Sequence, residues 1–150
     1  MTQNLIIMCG LPCSGKSTLV RNRLVKLGYS VVSPDNIRLA LHGQQFCQNA
    51  EPFVWATAEV MARSLLLSGN DVVIDATNIN KQRRKLWINL AKEFNILPTV
   101  YFVNNNVNEC LKRNEDILRM GSHIITRMYK NFQIPNESEG CIVVDVGKLC

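Results

Sequence analysis

The sequence predicts an α/β fold in which a parallel sheet of roughly five strands lies between two layers of helices. Short apolar runs, of the kind that form buried parallel strands, alternate along the chain with longer segments of helical periodicity. A glycine-rich loop follows the first apolar run directly and leads into the first helical segment. Alternation of this kind is typical of a three-layer α/β/α domain. We find no internal repeat or linker, so we expect a single domain over residues 1–150.

The first half of the chain predicts three strands and three helices. The strands are short and mostly apolar, and the helices carry apolar residues on one side. We expect the strands at 4–9, 30–33 and 71–76, and the helices at 16–27, 34–41 and 51–67. Two helix ends follow from single residues: Gly28 stops the first helix, and Pro34 suits the first turn of the second.

The second half predicts an amphipathic helix, a strand, a pair of helices and a last strand. In chain order these elements are expected at 81–94, 98–103, 107–119, 122–132 and 141–146. The helix pair, about residues 107–132, is separated from the last strand by a loop around Pro135. We expect this pair to form a helical lid over the site.

The composition is that of a globular protein inside the cell. Hydrophobic residues make up 47% and charged residues 19%, and no apolar run approaches the ~20 residues that a membrane span needs. The N-terminal residues lack the pattern of a signal peptide. Six cysteines show neither Cys-x-x-Cys pairs nor zinc-ligand spacing, which favours free thiols in a reducing cytoplasm or nucleus. The net charge of +5 weakly favours an anionic partner.

Residues 10–17 match the phosphate-binding pattern G-x-x-x-x-G-K-[ST] at every fixed position. In this pattern backbone N–H groups surround phosphate oxygens, and the following helix adds its positive end. Lys16 would reach the β- and γ-phosphates, and Ser17 would ligate Mg²⁺. The sequence therefore predicts binding of ATP and Mg²⁺. The residues expected to contact ATP are Gly10, Leu11, Pro12, Cys13, Ser14, Gly15, Lys16, Ser17 and Thr18.

Polar residues also follow the second and third predicted strands, at the sheet edge where ligands bind in such folds. Asp35 could accept a proton from an acceptor hydroxyl, and Arg38, one helical turn later, could bind an anionic part of the acceptor. A helix cap with a surface ion pair is the alternative. Asp75 ends an apolar strand and could orient Mg²⁺, and Thr77 and Asn78 are expected to protrude toward the acceptor.

These motifs resemble the kinase domain of the 5′-hydroxyl polynucleotide kinases over nearly the whole chain. The segment from Asp35 to Arg38 is similar to the family's Asp-x-x-Arg. The resemblance implies that Asp35 is the general base and that Arg38 contacts the phosphate 3′ of the reacting nucleoside. Phage members have an acidic residue where Ala76 stands, so no role is carried over to that position.

The same resemblance assigns residues in two later segments. Arg83 lies in a segment that resembles the one after the family's third strand, and we count it among the substrate-binding residues. Residues 111–114 are similar to the start of the family's lid, whose arginines bind ATP phosphates. This implies such a role for Arg113, and for Arg119 if a short gap is allowed. Lys16, Asp35 and Arg113 are thus the expected catalytic residues.

Three hypotheses about function remain open. The first is an ATP-dependent kinase of the 5′-hydroxyl end of DNA or RNA. The second is a kinase of a small molecule or a tRNA-linked acceptor, and the third is an ATP-binding module without activity. Asp35 argues against the third, because a binder needs no base. Arg38 and the basic run at 81–85 favour a nucleic acid over a neutral sugar.

Overall fold

Five parallel strands form one sheet in the computed structural model, which describes residues 3–43, 47–117 and 120–146. Their order across the sheet is β2-β3-β1-β4-β5, and every neighbouring pair is parallel. The strands are β1 (Leu5–Cys9), β2 (Ser30–Val32), β3 (Val72–Ile74), β4 (Thr99–Phe102) and β5 (Ile142–Asp145). The parallel sheet predicted from the sequence is confirmed.

Helices connect the strands and cover both faces of the sheet. They are α1 (Lys16–Leu19), α2 (Pro34–His42), α3 (Glu51–Leu67), α4 (Lys81–Glu93), α5 (Val107–Ile117) and α6 (Ser122–Lys130). A π-helical turn at Val20–Leu24 continues α1, and short 3₁₀ turns lie at Gln48–Ala50 and Glu137–Glu139. None of the helices in the described ranges combines the length and the apolar character that crossing a bilayer requires.

The side chains of β1 divide between two cores because successive residues of a strand point to opposite faces. Leu5 and Ile7 belong to the larger core, which contains the buried faces of α2, α3 and α4. Ile6 and Met8 belong to the smaller core, which contains Leu19 and the π turn after it. Since all five residues of β1 are buried, the strand is a continuous apolar run with no polar face.

The predicted first helix differs from the observed one. It was expected to run regularly from 16 to 27, whereas the α-helical pattern ends at Leu19 and the N–H of Val25 donates to the carbonyl of Val20, five residues earlier. Gly28, with φ of +95°, ends the segment as predicted. The third strand is also shorter than expected, because the chain leaves the sheet after Ile74 to form the wall of the site.

Adjacent leucines of α3 provide a test of this packing. Leu66 is 0% exposed in the larger core, whereas the next residue, Leu67, is 73% exposed to solvent. We expect Leu66→Ala to lower the free energy of unfolding by about 2–5 kcal/mol, because it removes buried surface and leaves a cavity. Leu67→Ala should change it by less than about 0.5 kcal/mol. Urea unfolding of the two variants measures both, and equal effects would contradict the assigned core.

Candidate active site

The phosphate loop has little room and an unusual backbone. A Cβ atom on Gly10 would lie 3.0 Å from both the Ser14 hydroxyl and the Val103 carbonyl oxygen, so only glycine fits without a shift. Gly15, with φ of +101°, begins α1 from a left-handed conformation. The Lys16 ammonium folds back over the loop and donates to the Leu11 carbonyl at 2.8 Å. The Lys16 side chain is buried, and its ammonium group is held beside the loop by this hydrogen bond.

Cys13 stands in this loop with φ of +63°, a conformation that favours glycine. The carbonyl of the next residue, Ser14, accepts a hydrogen bond from the side chain of Asn105, which sequence reasoning did not identify. The Ser14 hydroxyl is buried and finds no hydrogen-bond partner among the residues of the described ranges. A second loop, after β4, therefore fixes the position of the phosphate loop.

The two residues predicted to hold Mg²⁺ lie together. The Ser17 hydroxyl donates to Asp75 Oδ2 at 3.0 Å, although 58 residues separate them in the chain. A hydroxyl and a carboxylate side by side are oxygen ligands of the kind that Mg²⁺ prefers, together with phosphate oxygens and water. Within the described ranges no group of three or more His, Cys, Asp or Glu side chains could hold a metal ion. Ser17 and Asp75 would supply two oxygen ligands of such an ion, and phosphate oxygens and water would complete its coordination.

Two cavities meet at the carboxyl edge of the sheet. The larger, of about 1100 Å³, extends from the phosphate loop along α1 to Arg113 of α5. The smaller, of about 490 Å³, is enclosed by α2, the start of α3, the segment after β3, and α6. The residues that line both cavities are Lys16, Ser17, Asp35 and Asp75. A group bound in one cavity is thus adjacent, across these four side chains, to a group bound in the other.

Asp35 and Arg38 form the ion pair that the sequence offered as an alternative to a catalytic role, and Glu51, which the sequence did not indicate, extends the pair into a charged network. Arg38 donates to Asp35 Oδ1 at 2.7 Å, and its Nε and Nη2 donate to the two oxygens of Glu51 at 2.9 and 2.7 Å. These hydrogen bonds lower the pKa of Glu51 and raise that of Arg38. The side chain of Asp35 is 48% exposed and opens into both cavities. Ser33 caps α2 and holds both residues on its first turns.

A stacked pair lines the smaller cavity beside this network. The guanidinium carbon of Arg83 lies 3.5 Å from the centroid of the Trp55 ring, and that of Arg38 lies 5.9 Å from the same centroid. Desolvation lowers the pKa of Arg83, which Glu51 partly offsets. Arg83 was a predicted substrate residue, and Trp55 was not. Trp55 follows Glu51 by one helical turn, so the two side chains share a face of α3. The sequence alone does not show that this face lines a cavity.

Asn78 lines the smaller cavity, but its side chain does not protrude as expected. With φ of +44°, its side chain turns into the protein, where it is 1% exposed and donates to the Met8 carbonyl at 2.7 Å. Its Oδ1 accepts a hydrogen bond from Trp87, and its carbonyl accepts one from the fully buried Arg84 at 2.9 Å. Arg84 also forms a two-point ion pair with Glu139. Asn78 and Thr77 both line the smaller cavity, and the hydrogen bonds of the Asn78 side chain to the protein interior fix this part of its wall.

The lid contributes arginines to both cavities. Arg113 of α5 donates to the Cys13 carbonyl at 3.2 Å and to Glu109, and it lines the larger cavity. Arg127 of α6 lines the smaller cavity and was not identified from the sequence. It lies three residues after Ile124, which lines the same cavity, so one face of α6 is directed there. Arg119 lies outside the described residues.

All five cysteines in the described ranges are free of disulfides. Burial raises the pKa of the Cys9 thiol to about 11 and also raises those of Cys110 and Cys141. These three thiols are therefore inert side chains of the core. Cys13 is half-buried and lies within the phosphate loop, on the lining of the larger cavity.

Comparisons with known proteins agree on the family. A family model described as an AAA domain matches residues 5–125. The chain is 29% identical over 146 residues to a bifunctional polynucleotide phosphatase/kinase from Schizosaccharomyces pombe, covering 92% of this chain and 32% of that protein. It is 29% identical over 137 residues to an L-seryl-tRNA(Sec) kinase from Methanococcus maripaludis, covering 87% of this chain and 53% of that protein. The chain thus spans about a third to a half of these relatives.

Solved structures show the same fold. A chain of the Pnkp1/Rnl/Hen1 complex superposes with a TM-score of 0.67 at 26% identity, covering 74% of this chain and 38% of that one. Kti12 from Chaetomium thermophilum, solved with ADP-AlF3, gives a TM-score of 0.70 at 19% identity, covering 94% of this chain and 88% of that one. The second likeness concerns the fold alone.

The buried ion pair behind the cavity wall can be tested by stability. Glu139→Gln removes the carboxylate and leaves the guanidinium of Arg84, which is 0% exposed, without its charged partner. We expect a loss of about 3 kcal/mol or more in the free energy of unfolding. Glu137→Gln, at an exposed position two residues earlier, serves as the matched control and should cost less than about 0.5 kcal/mol. Equal effects in urea unfolding would show that the pair does not hold the wall.

Proposed function

Because the chain belongs to the AAA-domain family and is homologous to kinase domains of polynucleotide kinases, we propose that it transfers the γ-phosphate of ATP to the 5′-hydroxyl end of a nucleic acid. One observation carries this proposal: the two cavities share Lys16, Ser17, Asp35 and Asp75. A phosphate donor in the larger cavity and an acceptor in the smaller one would meet over these residues. Phosphoryl transfer needs this adjacency, since its main requirements are positioning and charge stabilisation.

The donor side of the reaction rests on the phosphate loop. Its backbone N–H groups and the start of α1 bind the phosphates, and Lys16 neutralises the charge on their β- and γ-oxygens. Ser17 and Asp75 would hold Mg²⁺, which when bound would supply further neutralisation of the phosphate oxygens. Arg113, which already contacts the carbonyl of Cys13, adds a positive charge from the lid.

The acceptor side rests on Asp35. Its carboxylate accepts the proton of the 5′-hydroxyl while the hydroxyl oxygen forms a bond to the γ-phosphorus and the bond from that phosphorus to the leaving oxygen of ADP breaks. The hydrogen bond from Arg38 fixes the orientation of the carboxylate at 2.7 Å. An ATP-binding module without activity has no use for a carboxylate held between the two cavities, so this arrangement favours an enzyme.

The charges of the smaller cavity favour a nucleic acid as the acceptor. Arg38, Arg83 and Arg127 line it together with the Trp55 ring. Arginine binds phosphate through paired N–H donors, whereas a neutral sugar requires no such group. We propose that Arg38 binds the phosphate 3′ of the reacting nucleoside and that Thr77 contributes to the same wall.

A kinase of a tRNA-linked acceptor is the second candidate. The similarity to an L-seryl-tRNA(Sec) kinase favours it, because the chain covers a larger share of that protein than of the polynucleotide phosphatase/kinase. Such an acceptor also presents phosphates, so the arginines alone do not discriminate. The discriminating group is the hydroxyl that receives the phosphate, which a direct assay identifies.

The acceptor can be identified by incubating the protein with γ-labelled ATP, Mg²⁺ and a panel of candidates. The panel holds 5′-hydroxyl DNA and RNA oligonucleotides, the same oligonucleotides with a 5′-phosphate, seryl-tRNA, nucleosides and sugars. We expect label on the 5′-hydroxyl oligonucleotides and on none that already carries a 5′-phosphate. Lys16→Ala controls for a contaminating kinase, because it removes the lysine from the phosphate loop. Label on seryl-tRNA or a sugar instead would refute the proposed acceptor.

Asp35→Asn separates proton transfer from nucleotide binding. The amide preserves the shape and accepts a hydrogen bond from Arg38, but it is a poor base. We expect turnover to fall by about 10²–10⁴ while the dissociation constant of an ATP analogue changes less than about threefold. Single-turnover kinetics and calorimetry measure the two quantities. A loss of ATP affinity that matches the loss of turnover would assign Asp35 to the metal or the fold rather than to the base.

A further inference from the structure

Arg83 lines the smaller cavity, where the charge of Glu51 acts on it without an ion pair between the two in the described ranges. Its guanidinium is stacked on Trp55 at 3.5 Å, an arrangement that occupies the face of the planar group and leaves its N–H edges available. Within residues 3–43, 47–117 and 120–146, no oxygen accepts a hydrogen bond from this guanidinium. The side chain is half-buried, and an arginine remains charged there. A partly desolvated cation with free donors is suited to binding an anion.

Arg38, by contrast, is largely occupied by the protein. Three of its N–H donors engage the carboxylates of Glu51 and Asp35 at 2.7–2.9 Å. Those contacts hold Arg38 beside the proposed base, Asp35, so that two carboxylates face the single positive charge of Arg38. Of these two arginines, Arg83 therefore has more hydrogen-bonding capacity for an incoming anion.

The order of the groups along the cavity wall suggests where this anion belongs. Asp35 contacts Arg38 directly, and Arg38 and Arg83 lie over the same Trp55 ring, at 5.9 and 3.5 Å from its centroid. A strand whose 5′ end is at Asp35 would pass Arg38 first and reach Arg83 next. The two guanidinium groups are close enough for neighbouring phosphates of one strand.

We propose that Arg83, supported by Trp55, binds the second phosphate of the acceptor strand, counted from the reacting 5′-hydroxyl. This inference rests on the proposed function and deepens it by naming the substrate class, an acceptor with at least two phosphates on the 3′ side. A phosphate suits the site because the edge of a guanidinium offers two parallel donors to two oxygens. Such contacts fix the register of the strand and contribute to affinity more than to the chemical step.

Acceptor strands in which one phosphate is replaced by an uncharged analogue test the proposed contact at each linkage separately. Three 5′-hydroxyl trinucleotides with a 3′-phosphate are compared: one unmodified, one with a methylphosphonate at the first linkage and one with it at the second. The wild-type protein should lose roughly tenfold to a hundredfold in kcat/KM on the third acceptor, mainly through KM. In the Arg83→Ala variant, kcat/KM on the unmodified acceptor should fall by the same factor, and the methylphosphonate at the second linkage should cause no further fall. The methylphosphonate at the first linkage should still lower kcat/KM of this variant.

Two further variants serve as controls. Lys85→Ala removes one positive charge from the same helix outside the cavity and should behave as the wild type with all three acceptors. Arg83→Lys retains the charge without the planar fork and should lie between the wild type and Arg83→Ala. It also provides a readout if the alanine variant is unstable, which thermal unfolding of each variant measures.

Three results would overturn the inference. A wild-type protein indifferent to the second methylphosphonate would exclude a contact there. An Arg83→Ala protein that loses sensitivity to the first linkage instead would show that both arginines share one phosphate. Full retention of that second-linkage sensitivity in Arg83→Ala would assign the phosphate to another group, such as Arg127. A failure of the proposed function is distinguishable, because the wild type would then label none of the unmodified trinucleotide.

Discussion

The parallel alignment of β2, β3 and β1 is the constraint on which the site depends. Since neighbouring parallel strands all end at the same edge, the residues that follow them are brought together from distant parts of the chain. The phosphate loop follows β1, Asp35 comes after β2 and Asp75 directly follows β3. The hydrogen bond between Ser17 and Asp75, at 3.0 Å, is the direct consequence. A one-residue shift in strand register would separate these groups, because every side chain would then change faces.

Charge balance is the second requirement of the site. The smaller cavity alternates carboxylates with arginines, and each carboxylate has a defined neighbour: Asp35 and Glu51 contact Arg38, and Asp75 contacts Ser17. Buried charges of one sign would be costly, so the network allows several to lie close together. Arg83 lies outside this network, since its contact is an aromatic ring. The network thus holds the proposed base in place, and the guanidinium edge of Arg83 stays available to an acceptor.

Local patterns predicted the sheet, the helices and the residues of the phosphate loop because each depends on a few consecutive residues. The proximity of Asp35 and Asp75 was also predictable, since parallel strands share an edge. The direction of Asn78 was not, because a single left-handed residue reversed its side chain toward the core. Glu51 and Trp55 were missed for another reason. Their contacts bridge separate elements, and nothing in the sequence of α3 indicates which side faces the site.

The central claim is that the acceptor hydroxyl reacts between Asp35 and a nucleotide bound in the phosphate loop. A crystal structure with a non-hydrolysable ATP analogue and a 5′-hydroxyl oligonucleotide tests it most directly. We expect the analogue's phosphates in the loop and the 5′ oxygen about 2.6–3.2 Å from the Asp35 carboxylate, in line with the γ-phosphorus and its leaving oxygen. An oligonucleotide end bound away from Asp35, or a nucleotide outside the loop, would contradict it.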